Sequence, residues 1–492
     1  MNLSDVMTTS AARHGDRTAI RQEGVALSYA DLDRATALVA GLLRARGVRP
    51  GDRVGIMLPN VAYFPICYYG ALRAGAAIVP MNMLLKEREV GFYMTDSGAR
   101  ALFAWHDFAD AAQTGAGDSE VVVVEPGAFD ALLAGSEPAG TTDRDPGDTA
   151  VILYTSGTTG KPKGAELTHA NLSENVAVSA ELFVLGSDSV MLGALPLFHA
   201  FGQTCGLNAT MAMGGSLSLL PRFDAGKALE MIERDRVTIF EGVPTMYAAM
   251  LHHAGESDTS SLELCVSGGA AMPVEVMRAF ERRFGCTVLE GYGLSETSPV
   301  ASFNRRDRER KAGSIGLPVR GVEMRLVDAQ DGVGEIAIRG HNIMKGYWNN
   351  PEATASAIDR DGWFRTGDLA RVDDDGYFFI VDRKKEMIIR GGFNIYPREI
   401  EEVLHEHPDV MEAAVVGLPH DELGEEVGAA VVVKPGSQAD ADDIKRFVKA
   451  RVAAYKYPRH VWFEDALPKG PTGKILRREI KPPSREGASP AR

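Results

Sequence analysis

The sequence predicts an α/β protein with a large N-terminal domain of parallel sheets and helices, a small antiparallel subdomain, and a small α+β C-terminal domain. Three observations support this prediction. Helix and strand patterns alternate from about Leu3 to Phe303, which is typical of parallel sheets covered by helices. From Gly334 onwards, apolar and polar residues alternate as in half-buried antiparallel strands. Beyond a charged break at 382–385, a helix, two strands and a second helix follow.

The individual elements follow from apolar periodicity and turn residues. Helices are predicted over 29–46, from about 59 to 74, and over 169–183, 398–406 and 442–452. Strands are predicted over 53–58, 149–154, 334–340, 376–381, 412–417 and 426–434. Residues 107–146 are rich in Gly, Ala and Asp, and we interpret them as a variable surface stretch. The predicted domains are 1–382 and 383–480, followed by a disordered tail over 481–492.

Composition limits the classes of function. The 492 residues include 53 Lys and Arg against 67 Asp and Glu, a net charge of -14, which argues against general nucleic-acid binding. The sequence contains no apolar run long enough for a membrane span and begins without a signal-peptide pattern, so we expect a cytoplasmic protein. Its four cysteines form no CxxC pair and are interpreted as buried thiols in a reducing compartment.

A loop rich in Gly, Thr and Lys follows the strand predicted over 149–154. Its glycines would let the backbone approach an anion, and its hydroxyls and lysines could surround phosphate oxygens. A Walker A loop counted from Gly157 would need Gly at the position of Pro162, so this is a different kind of phosphate loop. By composition alone, a flexible polar loop without a ligand also fits.

Six segments resemble, in chain order, the signatures of the superfamily of acyl-CoA synthetases, luciferases and non-ribosomal peptide adenylation domains. They are YTSGTTGKPKG (154–164), GYGLSET (291–297), TGD (366–368), DRKK (382–385), GGFNIYP (391–397) and PKGPTGK (468–474). The chain is most similar to bacterial fatty-acid CoA ligases and plant-type coumarate CoA ligases. This resemblance implies ATP, Mg²⁺ and coenzyme A as cofactors, and a C-terminal domain that is mobile.

The resemblance also implies a nucleotide site. In it, Glu296 would hold Mg²⁺, Tyr292 would stack on adenine, Asp368 would bind the ribose hydroxyls and Arg383 would contact ribose or phosphate. A core aromatic residue and a boundary salt bridge are the alternative interpretations of Tyr292 and Arg383. The implied nucleotide-binding residues are Thr155, Ser156, Gly157, Thr158, Thr159, Lys163, Gly269, Ala270, Glu290, Gly291, Tyr292, Gly293, Ser295, Asp368, Ile380, Arg383 and Lys474.

Two chemical steps are implied by the same resemblance. In the first, Lys474 would stabilise the charge that develops as a carboxylate attacks the α-phosphorus of ATP. In the second, the C-terminal domain would rotate about a hinge at Lys385, and Gly391 and Gly392 would let coenzyme A pass close to the backbone. Composition alone favours other interpretations, in which Lys474 is a solvated lysine near the C-terminus and Gly391-Gly392 is a turn without a functional role.

The acyl pocket is predicted from the segment 196–202 and from two further walls. The implied pocket residues are His199, Phe201, Gly202, Val243, Met246, Gly268 and Ala271. His199 is a candidate catalytic residue that orients the carboxylate or gates the pocket, and it also fits a satisfied core histidine. The residues predicted for these walls include no evident cationic side chain that could pair with a second carboxylate on the substrate. A substrate acid that is otherwise apolar is therefore favoured. The small residues Gly202, Gly268 and Gly269 favour room for a medium or long fatty chain.

The sequence therefore predicts an ATP-dependent acid–thiol ligase that forms an acyl-adenylate and transfers the acyl group to coenzyme A. Its catalytic residues would be Lys474, Glu296 and His199. An aryl or cinnamic acid CoA ligase, and an adenylating enzyme that loads a carrier protein in trans, are the alternatives. A homodimer is compatible with the sequence. A nucleotide- or acyl-binding protein without turnover is disfavoured, because the candidate catalytic positions all hold competent residues.

Overall fold

The computed structural model describes residues 1–155, 161–391 and 393–483. Within them the chain forms four sheets with helices packed against their faces. The predicted combination of parallel sheets, a small antiparallel sheet and an α+β C-terminal part is confirmed.

The first part of the chain alternates between helices and strands. Its elements are α1 (Asp5–His14), β1 (Thr18–Gln22), β2 (Val25–Ser28), α2 (Tyr29–Ala45), β3 (Arg53–Met57), α3 (Tyr63–Arg73), β4 (Ala77–Pro80), α4 (Glu87–Ser97), β5 (Ala99–Trp105), α5 (Ala109–Ala116), β6 (Glu120–Val124) and α6 (Ala128–Ala134). The prediction of a surface stretch over 107–146 was wrong, because β6 pairs in parallel with β5 and buries Val122 and Val124. The flanking Gly, Ala and Asp residues had obscured this short valine-rich strand.

The middle part continues the same alternation. Its elements are β7 (Thr149–Thr155), β8 (Lys163–Thr168), α7 (His169–Leu182), β9 (Val190–Gly193), a π-helix (Phe201–Asn208), α8 (Ala209–Ala212), β10 (Ser216–Leu219), α9 (Ala225–Asp235), β11 (Ile239–Gly242), α10 (Pro244–His252), β12 (Leu264–Ser267), α11 (Val274–Phe284), β13 (Thr287–Gly293), β14 (Val300–Phe303) and β15 (Leu317–Pro318). The helix predicted after the Gly/Thr/Lys loop is α7, whose start is capped by the Thr168 hydroxyl accepting from the Asn171 N–H.

The last part contains the antiparallel and α+β elements. They are β16 (Val322–Gln330), β17 (Val333–Gly340), β18 (Gly346–Tyr347), α12 (Pro351–Ala357), β19 (Phe364–Val372), β20 (Phe378–Arg383), β21 (Ile388–Arg390), β22 (Phe393–Ile395), α13 (Pro397–His405), β23 (Val410–His420), β24 (Gly424–Val433), α14 (Ala441–Lys449) and β25 (His460–Phe463). The elements predicted here are all present, with ends that differ by a few residues. Strands β16, β17, β19 and β20 form the antiparallel sheet.

Two large sheets carry most of the core. One has the strand order β18-β8-β7-β4-β3-β5-β6, and the other has the order β15-β14-β13-β12-β11-β9-β10-β1-β2. In the second sheet β11, β12 and β13 are parallel, and Gly242, Ser267 and Glu290 are in register near their carboxyl ends. Loops that follow parallel strands meet at one sheet edge, where open α/β sheets bind their ligands.

Apolar side chains make up most of the core, which also buries some polar and charged groups such as Asn208 and Glu241. The four cysteines are buried free thiols, as predicted. None of the helices in the described ranges has the length and apolar character needed to cross a bilayer.

Candidate active site

Two joined cavities lie where the carboxyl ends of β11–β13 meet the antiparallel sheet and the C-terminal part of the chain. The smaller has a volume of about 230 Å³ and the larger about 880 Å³. Residues lining both are Val243, Gly269, Gly291, Tyr292, Gly293, Asp368, Arg383 and Lys474. Most of the residues that the sequence singled out for chemistry therefore surround one continuous space.

Three side chains, Tyr292, Asp368 and Arg383, form a trio at the junction of the two cavities through a hydrogen bond and an ion pair. Tyr292 donates its hydroxyl to Asp368 Oδ2 at 2.6 Å, and Arg383 Nε lies 3.1 Å from Asp368 Oδ1. Burial raises the pKa of the Tyr292 phenol well above its usual value, and the neighbouring carboxylate adds to this effect. Asp368 follows Gly367, whose φ of 74° suits glycine. The trio holds a buried carboxylate in one orientation, as recognition of a diol requires.

The smaller cavity continues from this trio between the loop after β12 and the C-terminal part. Ala270, Ala271, Glu290 and Ile380 line it. Glu290 Oε1 accepts from the Met272 N–H at 3.1 Å, whereas its buried Oε2 has no partner among the described residues. Burial raises the pKa of Glu290 to about 7. An unpaired carboxyl oxygen at the wall of this cavity is suited to accept from the amino group of an adenine ring.

Glu296 is buried on a short 3₁₀ turn (Ser295–Thr297) at the wall of the larger cavity. Its Oε1 accepts from the Tyr347 hydroxyl at 3.0 Å and from Thr155 Oγ1 at 3.3 Å. The Lys163 ammonium lies 5.2 Å from the centre of the Tyr347 ring. Carboxylate, hydroxyls and lysine thus converge on one place, beside the predicted phosphate loop.

The donor set fits Mg²⁺ better than a metal that needs many protein ligands. Mg²⁺ is commonly bound by one or two carboxylates together with substrate phosphates and water. The described residues contain no group of three or more His, Cys, Asp or Glu side chains arranged for a metal. Glu296 supplies one carboxylate beside the predicted phosphate site. This is the protein ligand expected for Mg²⁺ that is bound mainly through substrate phosphates.

Lys474 reaches the junction from the C-terminal part. Burial lowers the pKa of its ammonium to about 8, and the nearby Arg383 cation contributes to the shift. Burial and Lys474 together lower the pKa of His199, also at the wall of the larger cavity, to about 4. His199 Nδ1 accepts from the Phe201 N–H at 3.3 Å. His199 is therefore neutral near pH 7, and Lys474 is the cation at this point.

Six apolar side chains line the larger cavity, and we call this part of its wall the apolar end. They are Phe183, Leu195, Phe201, Val266, Val300 and Phe303. The rings of Phe183 and Phe303 lie 5.5 Å apart. Apolar and aromatic side chains of this kind are typical of a pocket that receives an apolar group.

Three predictions about the acyl pocket need correction. Gly202 and Met246 line neither cavity, and Ala271 lines only the smaller one. A Cβ on Gly202 would lie 2.7 Å from the Pro196 carbonyl oxygen, and one on Gly268 would lie 3.0 Å from Phe201 Cε1. The small size of these glycines therefore permits close packing, and it leaves no free room for a chain.

The remaining predicted residues fall into three groups. Lys163, Val243, Gly268, Ser295 and Lys385 line the larger cavity. Gly391 lines neither cavity, and its N–H donates to the Leu423 carbonyl at 2.8 Å. Outside the described residues are Ser156, Gly157, Thr158, Thr159 and Gly392, together with the tail from 484.

Sequence reasoning missed several residues of the site. Tyr347 bonds the candidate metal ligand, Thr245 bonds the segment that carries Lys474, and Arg477 ties that segment to Glu386 and Glu401. Tyr347 stands in a Gly-Tyr-Trp turn, where an aromatic hydroxyl is a weak signal. The roles of Thr245 and Arg477 cannot be recognised from the sequence, because their hydrogen-bond partners are far away in the chain.

Comparison with protein families gives two matches. Residues 7–348 match the model described as "AMP-binding enzyme", and residues 399–474 match "AMP-binding enzyme C-terminal domain". The two matches include Glu296 and Lys474, whereas Asp368 and Arg383 lie between them.

Individual relatives are similar over almost their whole length. A long-chain-fatty-acid–CoA ligase of Bacillus subtilis is 37% identical over 97% of this chain and 94% of its own. A feruloyl-CoA synthase of Amycolatopsis is 42% identical over 94% and 95%. Among solved structures, a benzoate CoA ligase from Burkholderia xenovorans has a TM-score of 0.91 at 31% identity, covering 97% and 99%. ATP-bound MatB from Rhodopseudomonas palustris has a TM-score of 0.89 at 34% identity, covering 97% and 98%.

Proposed function

The chain belongs to the family of AMP-binding enzymes, and on that premise we propose that it joins an apolar monocarboxylic acid to coenzyme A through an acyl-adenylate. It is an AMP-forming acyl- or aryl-CoA ligase, and such enzymes use ATP, Mg²⁺ and coenzyme A. The observation that carries the proposal is the convergence of Lys474, Glu296 and the trio Tyr292, Asp368 and Arg383 on one continuous space.

The smaller cavity would take the adenosine. Ala270, Ile380 and Tyr292 offer apolar and aromatic surface to adenine, and Glu290 Oε2 offers an acceptor to its amino group. Asp368, oriented by its two partners, would accept hydrogen bonds from the ribose hydroxyls. The α-phosphate would then lie at the junction with the larger cavity, which Lys474 reaches.

In the first step the acid's carboxylate oxygen attacks the α-phosphorus and pyrophosphate leaves. Two anions approach each other, so a fixed cation in a water-poor site lowers the barrier, often by several kcal/mol. Lys474 is that cation, and neutral His199 at the cavity wall orients the carboxylate. Glu296 would hold Mg²⁺, which neutralises phosphate charge when bound.

In the second step the thiol of coenzyme A attacks the acyl carbonyl and AMP leaves. We propose that residues 383–480 act as a mobile domain that turns about Lys385 relative to residues 1–382. This rotation would withdraw Lys474 and bring Gly391 and Gly392 to the thiol path. A carrier-bound thiol is the alternative acceptor, and a homodimer is a further part of this proposal.

The apolar end of the larger cavity favours an acid without a second charge. Among fatty acids we propose medium-chain and long-chain acids as the candidates.

An aromatic acid is the second candidate. The feruloyl-CoA synthase is 42% identical to this chain, and three phenylalanines, at 183, 201 and 303, line the apolar end. Aromatic rings pack well against one another in offset or edge-on arrangements.

The test is pyrophosphate release from ATP with a panel of fatty, cinnamic and benzoic acids, with and without coenzyme A. We expect CoA-dependent turnover for at least one apolar acid, and loss of pyrophosphate release in Lys474→Ala. The exposed Lys481→Ala is the matched control and should behave like the wild type. Acyl-adenylate that accumulates while coenzyme A is ignored would contradict the ligase proposal and favour a carrier protein.

A further inference from the structure

We propose that Thr245 is a positioning residue that docks Lys474 for the adenylation step. Thr245 lies in the first turn of α10, and its hydroxyl donates to the Gly473 carbonyl at 2.9 Å. Gly473 directly precedes Lys474. The bond thus joins the N-terminal part of the chain to the residue next to the proposed catalytic cation.

Residues 468–476 form a tight turn, which we call the lysine hairpin. The Gly470 N–H donates to the Lys474 carbonyl at 2.8 Å, the Gly473 N–H to the Gly470 carbonyl at 2.9 Å, and the Leu476 N–H to the Pro468 carbonyl at 2.8 Å. A bridge between Lys469 and Ile475 closes the same turn. Because the lysine hairpin is internally bonded, a contact at Gly473 fixes the backbone from which Lys474 projects.

Two other side-chain hydrogen bonds of this region lie within the proposed mobile domain, and Arg477 Nη1 also lies 3.6 Å from Asp382 Oδ1 at the boundary between the two parts. Lys469 Nζ bonds Glu412 at 2.6 Å, and Arg477 Nη2, just beyond the lysine hairpin, bonds Glu401 at 2.6 Å. These bonds would move with the domain and cannot fix its position relative to the active site. Within the described chain, no other hydrogen bond joins residues 468–476 to residues 1–381.

The backbone at Gly473 is suited to this contact. Its φ is 78°, a conformation that favours glycine, and a Cβ there would lie 3.0 Å from both Thr245 Oγ1 and Val243 Cγ2. Glycine therefore allows the turn to approach α10 closely enough for the hydroxyl to reach the carbonyl. Sequence and geometry both place a docking point here.

A single neutral hydrogen bond is suited to a contact that must form and break in each cycle. Its net worth is about 0.5–1.5 kcal/mol, which corresponds to roughly a two- to tenfold change in an equilibrium. That amount biases the domain towards the docked arrangement without trapping it there. The inference rests on the proposed function, in which Lys474 acts in the first step and is withdrawn for the second.

The experiment measures the two half-reactions separately in the full-length chain. Thr245→Val keeps the shape and removes the hydroxyl, Thr245→Ser restores it, and Thr210→Val is the matched control because the buried Thr210 hydroxyl has no partner among the described residues. We expect Thr245→Val to slow acyl-adenylate formation about three- to tenfold. Thioester formation from supplied acyl-adenylate and coenzyme A should be unchanged or faster, and Thr245→Ser should recover most of the first rate.

Several outcomes would overturn the inference. Equal slowing of both half-reactions would indicate general damage, and adenylation equal to that of Thr210→Val would indicate no docking role. Because Thr245 also lines the smaller cavity, binding of a non-hydrolysable ATP analogue is measured as well. A loss of affinity that matches the loss of rate would make Thr245 a nucleotide contact. Normal adenylation by Lys474→Ala would instead refute the proposed function, and this distinguishes the two failures.

Discussion

The pH dependence of adenylation tests the proposed role of Lys474 directly. In free solution a lysine ammonium keeps its proton up to about pH 10.4, whereas burial and Arg383 lower the pKa of Lys474 to about 8. The protonated form is the one that can stabilise the pentavalent phosphorus. Activity should therefore be full below the shifted pKa and decline as the pH rises through it.

The size of the effect follows from that pKa. With a pKa of about 8, the protonated fraction is about 90% at pH 7, half at pH 8 and about 10% at pH 9. The apparent kcat/KM for ATP in the absence of coenzyme A should thus fall about tenfold between pH 7 and pH 9. Bound triphosphate adds negative charge near the ammonium and raises its pKa, so the decline in kcat should lie at higher pH than the decline in kcat/KM.

The assay is pyrophosphate release at constant ionic strength from pH 7 to pH 10. Over most of this range the substrate carboxylate and the phosphates are already ionised, and the carboxyl of Glu290, with a pKa of about 7, changes only at the lower end. Lys474→Arg is the informative variant, because a guanidinium stays protonated throughout. It should be slower than the wild type and show no decline near pH 8.

Two results would refute this reasoning. A wild-type profile that stays flat to pH 10 would show that Lys474 is not desolvated as its surroundings indicate. A decline near pH 8 that persists in Lys474→Arg would assign the titration to another group. Circular dichroism at each pH separates either result from unfolding.

Three further outcomes follow from other contacts of the site. Tyr292→Phe removes the 2.6 Å bond to Asp368 and should raise the KM for ATP about tenfold or more, since bonds to charged groups contribute about 1.5–3 kcal/mol, which corresponds to roughly 10- to 150-fold. An unchanged KM would argue against a role for this pair in ribose binding. Glu296→Gln should raise the Mg²⁺ concentration that gives the half-maximal rate about tenfold or more. Tyr347→Phe, which removes a hydrogen-bond partner of that carboxylate, should raise this concentration less. Equal increases in the two variants would contradict direct ligation of Mg²⁺ by Glu296. Phe303→Leu should shift the preferred acid towards chains about one or two carbons longer. The measurement is kcat/KM for a series of acids of increasing chain length. An unchanged preference would show that the Phe303 ring does not limit the length of the acyl chain.

The sequence predicted those features that depend on local patterns. The period of apolar residues indicated most helices and strands, and the prediction failed at β6, where short flanking helices of Gly, Ala and Asp concealed a buried strand. The Gly-rich turns and the charged break are local signals of the same kind, and the domain boundary and the loop functions inferred from them remain predictions. These signals are local because backbone conformation at a turn is set by the residues in it.

Other features depend on residues that are distant in the chain. No local pattern indicates that Phe201 and backbone carbonyls pack against Gly202 and Gly268, so their small size suggested open space where the structure has close packing. The apolar end of the cavity comes from α7, β12 and β14, which no motif connects. The volume of a pocket depends on all the side chains that surround it, so the residue type at a single sequence position does not determine that volume.

By itself, the sequence determined the family and the adenylate-forming fold, and it predicted Lys474, Glu296 and Asp368 as functional residues. Only the tertiary structure decided their partners: Tyr292 and Arg383 on Asp368, Tyr347 on Glu296, and the burial that lowers the pKa of Lys474. The physical reason is that chemical type belongs to a residue, whereas orientation, dielectric environment and hydrogen-bond partners belong to the neighbours that folding brings to it.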